Sequence, residues 1–239
     1  MTTSSGGELD PQTNVCGGAG YYDFNVSGDE TYFVEIDPSN FNAGQPLEEY
    51  VWTSEDTIGT AGDPTGAPEI PTGATDPKGI YYKKYMPLQQ LDFNDADFGF
   101  VKVDLRISIT PGTATNKVGD PHTFTVTVEQ KIGSDAWAPV QNGTKPTITV
   151  KDSGNNPVTP TSNTCAAPGT FNGQCTVTIN STVAEVYTAH GQVTATINVP
   201  LPFSVTVPVT RTRETGGAKN SAAGGTGDAT KTYVDLRIS

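Results

Sequence analysis

The sequence is poor in basic residues, histidine, cysteine and long apolar runs, and each shortage excludes a class of function. Lys and Arg number 14 against 26 Asp and Glu, so the net charge is −12. An acidic surface repels nucleic acid and anionic membranes, and we expect neither as a partner. No stretch approaches the ~20 apolar residues that cross a bilayer. The two histidines, His122 and His190, carry no catalytic signature around them, so we predict no catalysis.

Threonine is abundant, with 36 residues, and many of them alternate with Val or Ile. In "HTFTVTVEQ" the apolar residues Phe124, Val126 and Val128 share one face, while threonines occupy the other. β-Branched residues at every second position suit a half-buried strand, and no helical period competes with this pattern. About seven such strands, separated by turn clusters, follow residue 101. The sequence therefore predicts an all-β protein whose second part is a two-sheet sandwich.

The charge distribution predicts two modules. Residues 1–100 hold 17 acids and 3 bases, a charge of −14, whereas residues 101–239 hold 9 acids and 11 bases, a charge of +2. Such a step favours a domain boundary near residue 100. We predict a first β-sandwich over 1–100, a second over 101–211, and a Gly/Ala/Thr-rich linker or loop over 212–231. Residues 232–239 then form the first strand of a following repeat.

This last prediction rests on a repeated hexapeptide. Val-Asp-Leu-Arg-Ile-Ser stands at residues 103–108 and again at 234–239. The first copy continues into the alternating pattern of the second module, and the second copy follows the predicted linker. We therefore expect the chain to be a fragment whose terminal strand, with Val234, Leu236 and Ile238, has no sheet to join. The lack of a signal peptide at Met1 then says nothing about the compartment.

The three cysteines give evidence on the cellular compartment of the protein. Cys165 and Cys175 flank the turn "AAPGTFNGQ", which favours a disulfide; a metal pair is the alternative. A disulfide closing this short loop would stabilise the fold by ~2–3 kcal/mol. It would also require an oxidising compartment. Cys16 is left over, so it either has a partner upstream or is a free thiol.

An acidic cluster is the candidate metal site. "DFNDADFG" brings Asp92, Asn94, Asp95 and Asp97 within six residues, and oxygen ligands of this kind suit calcium. The spacing is not that of an EF-hand loop, and solvated loop acids are the alternative interpretation. We predict no other cofactor. The aromatic cluster "YYKKY", residues 81–85, is a candidate binding platform.

Tyr187 is predicted to be a structural residue. It follows a polar turn and opens an alternating strand, which is where sandwich folds place a tyrosine corner. We expect its hydroxyl to bind nearby backbone.

Residues 101–239 resemble a known repeat family. "ITPGTATNKVGDPHTFTVTV", "GQCTVTINSTVAEVYTAHGQVTAT" and "TGDATKTYVDLRIS" are similar to the tandem immunoglobulin-like repeats of large bacterial secreted and surface-anchored proteins. The resemblance implies β-sandwiches strung in series as a stalk or adhesive segment, with neighbouring repeats of the same chain as partners.

The first module resembles a second family. "GYYDFNVSGDETYFVEIDPSNFNAGQPL" and "FNDADFGFV" are similar to the B-type repeats of serine-aspartate-repeat surface proteins, which are related to the prealbumin-like B domains of collagen adhesins. The upstream strands of that family are missing here, so the resemblance implies a truncated domain. Together the two resemblances imply a bacterial cell-surface or extracellular location. They imply a non-catalytic stalk or, alternatively, an adhesin module that binds a protein or glycan.

Overall fold

A computed structural model of the chain describes residues 30–36, 38–42, 44–55, 80–86, 98–200, 206–216 and 225–235. Within these ranges the regular elements are strands and one 3-10 helix, which confirms the predicted all-β fold class. The elements are β1 (Glu30–Ile36), the 3-10 helix (Pro38–Phe41), β2 (Tyr50–Glu55), β3 (Ile80–Met86), β4 (Phe98–Thr110), β5 (Thr113–Lys117), β6 (His122–Ile132), β7 (Ala138–Pro139), β8 (Thr147–Lys151), β9 (Pro157–Val158), β10 (Ser162–Asn163), β11 (Gln174–Ile179), β12 (Val186–Pro200), β13 (Thr206–Glu214) and β14 (Ala229–Val234).

The chain divides into two units. The first unit comprises residues 1–36 and 57–96, and its described part is an antiparallel sheet of β1 and β3. The second unit comprises residues 37–56 and 97–239. The prealbumin-like fold of residues 1–100 stays a prediction, because most of these residues lie outside the described ranges.

The first sheet of the second unit has the strand order β10-β11-β6-β4-β2, and β7 also pairs with β6. Its long strand β4 pairs with β2 through residues 98–102 and with β6 through residues 103–110. β4 therefore runs without a break across the boundary predicted near residue 100, and residues 37–56 group with the sandwich rather than with β1 and β3. β2 pairs with β4, about 50 residues further along the chain. The step in charge near residue 100 is a local signal, so it could not show that β2 belongs to the sandwich.

The second sheet has the order β5-β14-β12-β8-β9, and β13 pairs with β12. The two sheets pack face to face, and their inner side chains form one core. β13 contains Pro208 opposite Asn198 and has β12 as its described partner. A proline removes a backbone N–H from the ladder, so it suits a strand at the edge of a sheet.

The alternating pattern of the second module predicts which side chains of each strand face inward. Where the structure describes these side chains they are buried, except Val207, which is partly buried. Every second side chain of a strand lies on the same face of the sheet, so one correctly assigned inward-facing residue assigns all the others of that strand. The confirmed set is Phe124, Val126, Val128, Ile148, Val150, Val177, Ile179, Tyr187, Ala189, Val193, Ala195, Ile197, Val199 and Val209. The first copy of the repeated hexapeptide supplies Val103, Leu105 and Ile107, all fully buried.

The end of the chain differs from its prediction. The predicted linker, residues 212–231, holds the last residues of β13 and the first of β14. Tyr233 and Val234, for which we predicted no sheet, belong to β14, which pairs with β12 and β5. The reason is that Ala229, Lys231 and Tyr233 present a buried face despite the polar residues between them. Leu236 and Ile238 lie outside the described residues.

Candidate functional site

The predicted calcium ligands Asp92, Asn94, Asp95 and Asp97 lie outside the described residues, so the calcium site stays a prediction. The aromatic cluster of residues 81–85 falls in β3, for which the structure gives backbone pairing alone. Over the ranges that the structure describes, no group of three or more His, Cys, Asp or Glu side chains is placed to hold a metal ion.

The predicted disulfide is present between Cys165 and Cys175, whose Cα atoms lie 5.0 Å apart. Both cysteines are buried, and the bonded loop packs on the loop before β8. Thr170 N–H donates to the carbonyl of Thr144 at 2.8 Å, and Gly143 N–H donates to the carbonyl of Thr170 at 2.8 Å. Gly169 has a φ of +100°, and a Cβ there would lie 2.8 Å from the carbonyl carbon of Gly143. Backbone contacts thus hold the loop in one conformation.

The disulfide loop ends in a tight turn that exposes Phe171. Phe171 and Gln174 exchange two backbone hydrogen bonds of 2.8 and 3.0 Å across Asn172 and Gly173. Both central residues have positive φ, 50° and 74°, as a two-residue hairpin turn requires. A Cβ at Gly173 would lie 2.7 Å from the carbonyl oxygen of Val128, so the turn is pressed against β6. The ring of Phe171 is 70% exposed.

Phe171 belongs to an uncharged outer face of the first sheet, which we name the hydroxyl face. Residues opposite each other on paired strands point to the same side, so the register defines three rows across β11, β6 and β4 and the segment beside β11. The rows are Phe171, Gln174, Thr127 and Ser108; Thr164, Thr176, Thr125 and Thr110; and Ser162, Thr178 and Thr123.

Hydroxyl contacts connect neighbouring strands of this face. The hydroxyls of Thr123 and Thr178 lie 2.9 Å apart, and those of Thr164 and Thr176 lie 3.2 Å apart. The next row along β4 and β6 is charged but internally neutralised. There Arg106 pairs with Glu129 at 2.7 Å, and its guanidinium lies 4.3 Å from the ring centre of Trp137. Trp137 is half-buried.

Tyr187 is a buried structural residue, but its partners differ from the prediction. Its hydroxyl bonds the side chains of Ser181 and Glu185, each at 2.6 Å, rather than nearby backbone. Burial and then the Glu185 hydrogen bond raise the pKa of Tyr187. Its ring meets Tyr233 edge to face at 5.6 Å. Tyr233 is the tyrosine whose hydroxyl binds backbone, donating to the carbonyl of Ile179 at 3.1 Å.

Sequence reasoning missed a pair of buried basic groups near Tyr233. Lys231 is fully buried, and its amino group has no hydrogen-bond partner among the described residues. Burial lowers the pKa of Lys231. The pKa of His122 is also lowered, first by burial and then by the charge of Lys231. The sequence contained one sign of this pair: Lys231 occupies an inward-facing position of an alternating strand. It was missed because residue 231 lay in the segment predicted to be a linker.

A second missed cluster lies where the chain enters the sandwich. The buried Arg213 of β13 contacts Glu49 and also pairs with Asp104 at 2.7 Å. Lys102 pairs with Glu49 at 3.1 Å. Burial alone would raise the pKa of Glu49, but the hydrogen bonds and charges of Lys102 and Arg213 outweigh it and lower the pKa. These ion pairs join β13, β4 and the segment before β2.

His190 takes part in a polar contact between strands. Its Nδ1 lies 2.8 Å from Asp228 Oδ1, which also accepts a hydrogen bond of 2.5 Å from the Thr215 hydroxyl. Thr215 in turn accepts a 2.9 Å hydrogen bond from Gly191 N–H. The contacts tie β12 to the residues after β13 and before β14, which is a structural role.

The continuous passage of the chain from β4 to β14 begins and finishes at opposite ends of the sandwich. Val103 lies opposite Ile132, the last residue of β6. At the other end of β6, His122 lies opposite Ile179, whose carbonyl binds the Tyr233 hydroxyl. The next residue, Val234, accepts a 3.0 Å hydrogen bond from Val118 N–H. Since β6 has 11 residues, these two ends lie about 33 Å apart along the strand.

No protein-family model matches the chain, and no curated protein matches it. Among the described residues no helix is both long and apolar enough to cross a membrane.

Proposed function

We propose that this protein is a non-catalytic spacer segment of a bacterial cell-surface or secreted protein, in which β-sandwich modules follow one another as a stalk. The observation that carries this proposal is the path of the chain. From β4 onward it runs from beside the end of β6 to beside the start of β6, about 33 Å away. A module with this path extends the chain along the strand direction instead of returning it to its starting side.

A further observation supports the proposal. The buried disulfide between Cys165 and Cys175 suits an oxidising compartment, which for a bacterium lies outside the cytoplasm.

The test is a head-to-tail fusion of two complete 239-residue chains, measured by small-angle X-ray scattering. A spacer gives a maximum dimension close to twice that of the single chain, because each copy adds its own length. A matched fusion joined through a long Gly/Ser linker is the control, since a flexible joint gives a broader and more compact distribution. A direct fusion no longer than the single chain would contradict the stalk.

A second candidate function, an adhesin module that binds a ligand, is favoured by one observation. The hydroxyl face carries no charged residue and displays the exposed ring of Phe171.

A further inference from the structure

The hydroxyl face differs in charge from the rest of this protein. The chain has a net charge of −12, yet residues 153–184, which supply two strands and the turn of this face, contain no Asp, Glu, Lys or Arg. The β4 and β6 residues of the face are Ser or Thr. Hydroxyl groups donate and accept hydrogen bonds equally well, as does the side-chain amide of Gln174. The face therefore matches a ligand that is itself neutral and rich in hydroxyl groups.

Phe171 adds an apolar surface at the corner of this face. Its backbone is fixed by the two-residue turn, and Asn172 N–H donates to Asn142 Oδ1 at 2.8 Å. The disulfide closes the same loop, with Cys175 one residue after Gln174. Because the backbone that carries the ring is already ordered, binding costs little backbone conformational entropy. Its exposed face offers a flat apolar surface to the C–H side of a sugar ring.

The size of the face decides between a protein and an oligosaccharide. Strands lie about 4.8 Å apart and same-face residues about 7 Å apart, so the face measures roughly 14 Å by 14 Å. That is about 200 Å², whereas a stable protein interface takes about 800 Å² from each partner. The face is the outer side of a sheet, which suits one side of an extended chain better than a small molecule that needs a concave pocket.

We infer that the hydroxyl face binds an uncharged oligosaccharide or polysaccharide chain, with Phe171 stacking on one sugar ring and the threonine rows bonding its hydroxyls. This assignment does not rest on the spacer function, because a spacer and a sugar-binding module make different use of the same sandwich.

The test is a titration of the isotope-labelled full chain, followed by amide NMR shifts. The probes are three neutral hexasaccharides (cellohexaose, maltohexaose and chitohexaose) with hexagalacturonate as the anionic control. At least one neutral sugar is expected to shift the amides of residues 108–110, 123–127 and 171–178 at millimolar concentration. The anionic sugar is expected to shift none of them, because the hydroxyl face contains no cationic side chain to pair with its carboxylates.

Two matched pairs of variants complete the test. Phe171→Ala is expected to weaken binding at least tenfold. The control is Val183→Ala, which is expected to leave binding unchanged because Val183 is 56% exposed but does not belong to the hydroxyl face. Thr123→Lys is expected to abolish binding, whereas Thr194→Lys leaves it intact. Each of these threonines is exposed and lies 2.9 Å from one cross-strand threonine hydroxyl, but Thr194 lies on the other sheet. No binding by any neutral sugar, equal binding of hexagalacturonate, or unchanged binding by both face variants would overturn the inference and leave the face a solubility surface.

Discussion

The buried amino group of Lys231 acts on the buried imidazole of His122. Neither Lys231 Nζ nor His122 Nε2 has a hydrogen-bond partner among the described residues. Burial is the larger cause of the lowered pKa of His122, and the charge of Lys231 adds to it. Burial therefore opposes the charged form of both groups, and the charge of Lys231 also opposes protonation of His122, so this arrangement is a source of instability.

Replacing Lys231 with methionine is expected to stabilise the fold. A buried polar group without a hydrogen-bond partner costs about 1–3 kcal/mol, and methionine fills a similar volume without that cost. The substitution also removes the cation–π contact of the Lys231 ammonium, which lies 5.3 Å from the ring centre of Tyr233. Urea denaturation of the full chain measures the change. The control is Lys117→Met, an exposed lysine of the neighbouring strand β5, which is expected to leave the midpoint within ±0.5 kcal/mol, as is typical of surface substitutions. A less stable Lys231→Met variant would show that the ammonium contributes to folding.

Stability is expected to fall as the pH drops below 6.5. The pKa of His122 in the folded protein lies below its ordinary value of 6.5, so the unfolded chain binds a proton that the folded chain resists. His122→Gln removes this term. The unfolding free energies of the two proteins are measured at pH 8, 7, 6 and 5. As the pH falls, the original protein should lose more stability than the His122→Gln variant. A constant difference across this range would exclude His122 as the cause.

Removing Arg213 is expected to destabilise the sandwich by about 3 kcal/mol, because Glu49 and Asp104 then lose a buried cationic partner. The variant is Arg213→Met. Arg106→Met is the matched control, since Arg106 pairs with Glu129 at a more exposed position, and its loss is expected to be about 1 kcal/mol. Similar losses for both variants in chemical denaturation would argue against a special role for the Arg213 cluster.

Loss of the disulfide is expected to lower stability by about 2–3 kcal/mol. The change is Cys165→Ala with Cys175→Ala, compared with a Cys16→Ser variant that retains the bond. Mass spectrometry of the Cys16→Ser protein after oxidative expression should give a mass two hydrogens below that of the reduced chain. Two reactive thiols in that protein would rule out the bond.

Calcium binding by Asp92, Asn94, Asp95 and Asp97 stays a prediction, and its test is thermal. Millimolar calcium is expected to raise the melting temperature of the full chain, because a ligand of the native state stabilises it by mass action. A variant with Asp95→Asn and Asp97→Asn should lose the shift. If both proteins melt at the same temperature with and without calcium, these residues are solvated acids.

The alternation of threonine with apolar residues predicted the core rows of β6, β11 and β12, because strand periodicity is a local property. The same reasoning failed where a polar side chain occupies the inner parity. Lys231 made β14 look like linker, and Arg213 gave no sign of its contacts with Glu49 and Asp104. These contacts join residues more than 100 positions apart, and no local pattern contains them.

Only part of the hydroxyl face could be predicted from the sequence. The turn at Phe171 carries the Asn-Gly signature of a two-residue hairpin, which predicts a tight turn but not the exposure of the ring. The rows of threonine depend on the register between β4, β6 and β11, which turn lengths alone do not determine. The disulfide was predictable because both cysteines flank one short turn.

The parallel pairing of β5 with β14 determines how the sandwich responds to tension. The two strands are joined from Thr113 opposite Thr230 to Lys117 opposite Val234. A pull that separates the start of β4 from the end of β14 draws β5 and β14 past each other along their length. The hydrogen bonds between them are then sheared together, whereas a pull across the strands would open them one at a time. Forced unfolding is governed by the unfolding rate, so we expect this shear geometry to slow rupture of the sandwich at a given force.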